Sequence, residues 1–181
     1  SSEEALRQAS ILGLTDDEIE QKYKEKFGDK AEAVMEAFKK AYPDHNLAEG
    51  LYINNRKYGF VSSERLAVAM ENYGGTVYQY VQAYGYPFFG GISPVHTASC
   101  VPFFLHNLDM IPAWIAGDEE TAYRVSDQMA GALVQFAYTG NPSQDDLEWE
   151  NFTSENGAVM VFDRVSGVRY HHDDELMELL R

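Results

Sequence analysis

The sequence predicts an α/β fold with too few strands to stand as a complete sheet, and three observations carry that expectation. Apolar residues recur at helical spacing in the first 45 residues, and that spacing returns in two later stretches. Residues 76–84 (TVYQYVQAY) carry apolar or aromatic bulk on both alternating faces, as does a strand covered on both sides and central to a sheet. Residues 158–163 (AVMVFD) form the second convincing strand, and two strands do not build an independent doubly wound sheet. A portion of a larger α/β domain is therefore expected.

The elements follow from local chemistry. Ala5, Leu6, Ala9 and Leu12 have helical spacing, ended by Gly13. Thr15-Asp16-Asp17-Glu18 is a capping box, in which the Thr side chain and the Glu three residues later satisfy the free N–H groups of a helix start. That helix carries Ile19, Tyr23 and Phe27 and stops at Gly28. Asp29 can cap a further helix bearing Ala33, Val34, Ala37, Phe38 and Ala41, with Pro43 as its end. Residues 44–60 carry no clear period. Ser62 or Ser63 can start a helix with Leu66, Ala69 and Met70 on one face, broken by Gly74-Gly75. After the first strand comes an irregular stretch from Gly85 to Cys100, then an apolar run from Val101 to Leu108 expected to be buried. Asp118 opens a long helix to about Tyr138, stopped by Thr139-Gly140-Asn141-Pro142, and Asp173 to Leu180 reads as a short terminal helix. The chain divides into a helical region, 1–73, and a region 74–181 holding the strands, the loop and the long helix.

Composition narrows the partners. Of 181 residues, 45% are hydrophobic and 24% charged, the balance of a folded chain rather than a disordered one. Fourteen basic residues against 29 acidic ones give a formal charge of −15. So acidic a surface argues against nucleic acid and against an anionic membrane, since both need clustered Lys and Arg. No basic stretch followed by an apolar one marks a signal peptide, and no apolar run has the length of a spanning helix. A single cysteine, Cys100, excludes an internal disulfide and a cysteine zinc cluster and reads as a small buried hydrophobe.

Chemistry-bearing motifs are few. The nucleophile elbow Gly-x-Ser-x-Gly, a phosphate loop, a dinucleotide fingerprint and a His-Glu-x-x-His helix are all missing from the sequence. His171-His172 beside Asp173-Asp174 reads as a solvated loop before a helix rather than a metal site, since adjacent side chains diverge. His45 reads as a surface residue in a turn, and His106, in an apolar run, as a hydrogen-bonded core residue. Asn151-Phe152-Thr153 matches the glycosylation pattern by coincidence, and the acidic runs mark helix starts and turns. No metal and no cofactor are expected. His96 stands apart, in a loop that follows a buried strand, where crevices of α/β sheets lie and where a group poised near neutral pH could act as a general base.

Three stretches resemble the C-terminal part of the type-B carboxylesterases, the family of para-nitrobenzyl esterases and cholinesterases. They are TVYQYVQAY with PVHTASCVPFFLHNLD after a variable loop, SDQMAGALVQFAYTGNPS, and LEWENFTSENGAVMVFD. The Phe-Ala-x-Thr-Gly-Asn-Pro run is the most specific of these, and LGLTDDEIEQKYKEKFGDKAEAVMEAF fits the helical region that precedes the His strand. The resemblance implies an α/β-hydrolase fold and a Ser-Glu-His triad, of which only the base falls in this chain, at His96. It implies a small ester as substrate, a nucleophile and oxyanion loop in an N-terminal part of the same domain, and an acid just upstream of Ser1. Glu3 and Glu4, in a helical context, are not assigned as that acid. Tyr86, Phe88 and Phe89 become candidates for lining the substrate pocket. The family pattern is broken where Ser99 and Cys100 replace a Glu. A gapless match back from Pro102 would put Thr97 at the base position; a one-residue insertion, easily absorbed in a loop, puts His96 there. The chain alone is then expected to be inactive, to expose the edge of its sheet and to self-associate. A non-catalytic interaction module of cholinesterase type is the alternative, motivated by the altered loop.

Overall fold

A computed structural model describes residue 11 and residues 13–89 and 100–180, with side chains for all of them except 52–61 and 89. The helix expected over residues 3–12 and the loop carrying His96 lie outside the described residues.

Helix α1, Asp16–Phe27, starts at the capping box: the Glu18 backbone donates to Thr15 Oγ1 at 3.3 Å and the Thr15 backbone to Glu18 Oε2 at 2.8 Å. Gly28 closes it at φ 57°, donating to the Lys24 carbonyl. A 3-10 turn, Gly28–Lys30, replaces the Asp29 cap expected from the sequence, and α2 runs over Ala31–Ala41. Ala31, Val34, Ala37, Phe38 and Ala41 form its buried stripe, the i, i+3, i+7 repeat of an amphipathic helix.

A 3-10 segment, Leu47–Tyr52, then crosses α1, where Tyr23 donates its hydroxyl to the Leu47 carbonyl at 2.7 Å. Lys26 Nζ also reaches the Leu51 carbonyl. Helix α3, Ile53–Asn72, begins well before the Ser62 start expected from the sequence, so the stretch without a clear period is a 3-10 turn running into helix.

The sheet has three described strands in the order β1-β2-β3. Strand β1, Gln79–Gln82, is shorter than the expected 76–84, because Val77 makes only an isolated bridge to Phe152. After β1 come two short helices, α4 (Val101–Phe104) and α5 (Pro112–Ile115). The long helix α6 spans Glu119–Thr139 and ends at Gly140, whose φ of 75° is the left-handed conformation that suits glycine.

Strand β2, Ala158–Phe162, is buried at every position, and β1 runs parallel to it with Gln79 opposite Val159. Strand β3, Gly167–Tyr170, was not read from the sequence; it folds back antiparallel on β2 with Ala158 opposite Tyr170. Helix α7, Asp174–Leu179, closes the described chain.

The parity of β2 divides the core in two. Val161 faces a layer made by Tyr23, Val34, Phe38, Tyr42 and Met177. Met160 and Phe162 face the other layer, with Phe103, Val125, Met129 and Trp149. Helices thus cover both faces of the sheet, the condition under which a strand can be apolar throughout. β1 does not take the central place expected for it: among the described residues it is an edge strand.

Three burial expectations are corrected. The run from Val101 to Leu108 is only half buried, with Val101 46% and Leu105 62% exposed, because a short helix has an outer face. His106 is not in the core; it sits in a turn at φ 51°, exposed, with Nε2 2.7 Å from Asp127 Oδ1. Cys100 is partly rather than fully buried, against the Phe103 layer. In the other direction, His45 is not a surface residue but one of the most enclosed polar groups of the chain.

Candidate active site

The loop 90–99 with His96 is bounded by two described anchors. On its N-terminal side the chain leaves the carboxyl end of β1, where the Ala83 and Tyr84 N–H groups both donate to the Phe162 carbonyl, at 2.8 and 3.1 Å. On its C-terminal side it enters α4, whose Phe103 carbonyl accepts from Ser126 Oγ on α6 at 2.9 Å. Both ends are therefore tied to the same layer, one through the sheet and one through the long helix.

Aromatic rings fill the space between these anchors. Tyr84, Tyr86 and Phe103 stand with ring centroids 5.6–5.7 Å apart, and Trp114 meets Tyr86 edge-on at 5.5 Å. Tilted and edge-to-face pairs at such separations add modestly to the large apolar burial. Tyr84 reaches out of the cluster to donate to Asp118 Oδ2 at 3.0 Å, and Arg164 Nη2 lies 2.7 Å from the same oxygen. Burial alone would raise the Asp118 carboxyl, but hydrogen bonds from Thr121, Arg164 and Tyr84 outweigh it and hold the group below its usual range. Burial, then the bond to Asp118, pushes the Tyr84 hydroxyl up. These groups keep their protonation states through the neutral range and act as fixtures of the scaffold.

The candidate residues fall in different places. His96, like the alternative Thr97, lies outside the described residues. Tyr86 is fully buried in the aromatic cluster, with burial raising its hydroxyl, so it supports the loop from beneath. Phe88 is 59% exposed, at the mouth of the loop, in a 3-10 turn that continues to Phe89, whose side chain is outside the described set.

The histidines near the C-terminus do not converge. His171 Nδ1 pairs with Asp174 Oδ2 at 2.7 Å on the surface, whereas His172 is buried with its ring against Tyr42. Among the described residues no group of three or more His, Cys, Asp and Glu side chains is placed to hold a metal ion. Likewise no described helix is long and apolar enough to cross a membrane.

Sequence reasoning missed one polar cluster. His45 Nε2 lies 2.7 Å from Asp163 Oδ2, and His45 Nδ1 lies 3.1 Å from Glu49 Oε1. Burial would lower the imidazole, but hydrogen bonds to Asp163 and Glu49 prevail and raise it to about 9. The i, i+4 spacing of His45 and Glu49 was a local signal for half of this arrangement. Asp163, 118 positions away in sequence, gave none.

Helices on both faces of a partly parallel sheet, with a loop at the carboxyl end of β1, make up one side of an α/β-hydrolase domain. Solved structures with this arrangement are carboxylesterases. An esterase from Clostridium hathewayi, described as able to hydrolyse aliphatic aromatic polyesters, matches with a TM-score of 0.78 and 24% identity, over 93% of this chain and 33% of its own. A carboxylesterase of Geobacillus stearothermophilus matches with a TM-score of 0.64 and 23% identity, over 97% of this chain and 37% of its own. A para-nitrobenzyl esterase matches with a TM-score of 0.62 and 18% identity, over 93% of this chain and 34% of its own. The chain therefore spans about a third of the length of the esterases it matches. No family model matches it. The likeness establishes the fold, that of a C-terminal portion of an α/β-hydrolase domain.

Proposed function

We propose that this chain forms part of a carboxylic ester hydrolase and contributes its general base, His96. The observation that carries the reading is the pair of anchors around loop 90–99. A loop that leaves the carboxyl end of a parallel strand and returns beneath a long helix is held where an α/β sheet opens its crevice. The esterase folds it resembles and the family-like residues PVHTASCVPFF support the same assignment.

In this role the imidazole accepts the proton of a serine hydroxyl as that oxygen attacks the ester carbonyl. It then returns the proton to the departing alkoxide, leaving an acyl-enzyme that water cleaves by the same exchange. Phe88, and Phe89 beside it, offer apolar surface for the acyl or alcohol group, while Tyr86 packs beneath them. The serine and its oxyanion donors belong to a part of the domain without counterpart in this sequence, so the 181 residues alone do not turn over ester.

The test is a graft. The chain replaces the matching third of the Clostridium hathewayi esterase, and hydrolysis of a small aryl ester is measured with circular dichroism as a check of folding. Expected is measurable turnover that falls by roughly 10²–10⁴-fold in His96→Ala. A folded, active graft indifferent to His96→Ala overturns the assignment of the base. Turnover by the unaccompanied chain overturns its incompleteness.

A further inference from the structure

Strand β1 has one partner, β2, and its other edge faces outward among the described residues. Backbone parity shows which groups that edge presents. Ala83 donates to Phe162, and in a parallel ladder residues two apart address the same neighbour, so Gln79 and Val81 also point toward β2. The N–H and C=O groups of Tyr80 and Gln82 therefore point away from the sheet.

Two apolar grooves flank this edge, one on each face. The larger, about 580 Å³, lies toward α3 and is lined by Leu66, Met70, Val77 and Val81, among others. The second, about 420 Å³, lies toward α6, with Leu133 and Trp149 in its wall, and Tyr80 and Phe136 border both. Leu66 is 64% exposed, and Met70, Tyr80, Leu133 and Phe136 are each nearly half exposed.

The edge also lacks the devices that keep strands apart. Residues 76–84 contain no charge and no proline. The opposite edge of the sheet is protected, since β3 is four residues long and its Arg169 donates across to the Ala41 carbonyl at 2.9 Å.

We propose that β1 pairs with β1 of a second copy of this chain, antiparallel, about a two-fold axis normal to the sheet. Such an axis brings the same uncharged patch of both copies together and makes one continuous sheet in the order β3-β2-β1-β1-β2-β3. Antiparallel pairing is the slightly more stable of the two ladders. The exposed parts of Tyr80 and Phe136 offer roughly 200 Å² by themselves. Leu66, Met70, Leu133 and the strand backbone enlarge this toward the about 800 Å² per partner of a standard interface. Against it stands the charge of −15 on each copy, which is spread over the surface and missing from the edge itself. Pairing is therefore expected in the micromolar range and is strengthened by salt, which screens repulsion between distant charges.

The experiment is sedimentation of the purified chain from low to high micromolar concentration at two salt levels, together with amide hydrogen exchange. Expected are a monomer–dimer equilibrium shifted to dimer by salt, and exchange at Tyr80 and Gln82 that slows as concentration rises. Leu66→Glu, an exposed position in the single copy, should weaken the dimer at least tenfold. Leu105→Glu, equally exposed but away from both grooves, should leave it unchanged. A monomer at every concentration overturns the proposal and leaves the edge to a strand from elsewhere. So does a dimer that ignores Leu66→Glu and leaves the Tyr80 amide unprotected.

Discussion

His45 Nε2 and Asp163 Oδ2 lie 2.7 Å apart and join the helical layer to the end of β2. Glu49 holds the other imidazole nitrogen, so one cation stands between two carboxylates with the side chain 7% exposed. Around them, Tyr42 contacts the imidazole edge-on, Tyr23 faces Glu49, and Arg164 and Arg169 act on Asp163.

A pH dependence follows from this arrangement. The folded imidazole titrates at about 9 against 6.5 in the free side chain. Its contribution is fully present below pH 6.5, where both states are protonated, and is lost as pH rises through 9. The shift corresponds to on the order of 3 kcal/mol. Thermal melts should therefore show a fall in Tm between pH 7 and pH 10, and His45→Gln should melt lower at pH 6.5 and lose most of that slope. A parallel slope in His45→Gln would place the alkaline sensitivity elsewhere.

Gly50 is a packing requirement rather than a turn. A Cβ built on it would stand 1.8 Å from Tyr23 Oη and 3.2 Å from Phe38 Cγ. Tyr23 is itself held by its bond to the Leu47 carbonyl, so the ring cannot step aside without breaking that bond. Gly50→Ala should destabilise by about 1–3 kcal/mol, as overpacked cores do. Urea unfolding measures it, and Gly50→Ala paired with Tyr23→Phe should recover part of the loss.

Helix ends give a second pair of measurements. Thr15→Ala removes the acceptor for the Glu18 N–H and should cost about 1 kcal/mol. Gly140→Ala forces a side chain into the left-handed region at φ 75° and should cost roughly 1–2 kcal/mol. The sites share no partner, so the double variant should equal the sum in urea unfolding.

Ser126 tests the anchor of loop 90–99. It is fully buried on α6, and its hydroxyl is the printed donor to the Phe103 carbonyl. Ser126→Ala leaves that carbonyl short of a donor and should cost about 1–3 kcal/mol. In the grafted esterase it should also lower kcat of aryl ester hydrolysis, while Ser126→Thr, which keeps the hydroxyl, should restore it in part.

What could be read in advance was local. The capping box at Thr15, the stripe of α2 and the Gly140 stop of α6 depend on residues within a few positions of one another. Strand β3 escaped because Gly167–Tyr170 is short, carries Arg169 and is only half buried, which leaves no alternation to find. His45 was misread because its turn sequence looks exposed, whereas its burial is imposed by Asp163 at the far end of the chain. The place of β1 at the sheet edge depends on which strands are present, and no property of TVYQYVQAY encodes that. For the site, the strand and the re-entry at Pro102 were legible, as was the long helix above them. The burial of Tyr86 was not, since it depends on Trp114 and Phe103 arriving from later in the chain.

The two anchors of loop 90–99 bear on how such a chain can evolve. Phe162 grips the chain before the loop and Ser126 grips it after, through backbone carbonyls in one case and a single hydroxyl in the other. Neither clamp reads the side chains between them. Residues 90–99 can therefore be exchanged, lengthened or shortened as a cassette while the scaffold keeps its spacing, and selectivity can diversify there with little penalty in folding.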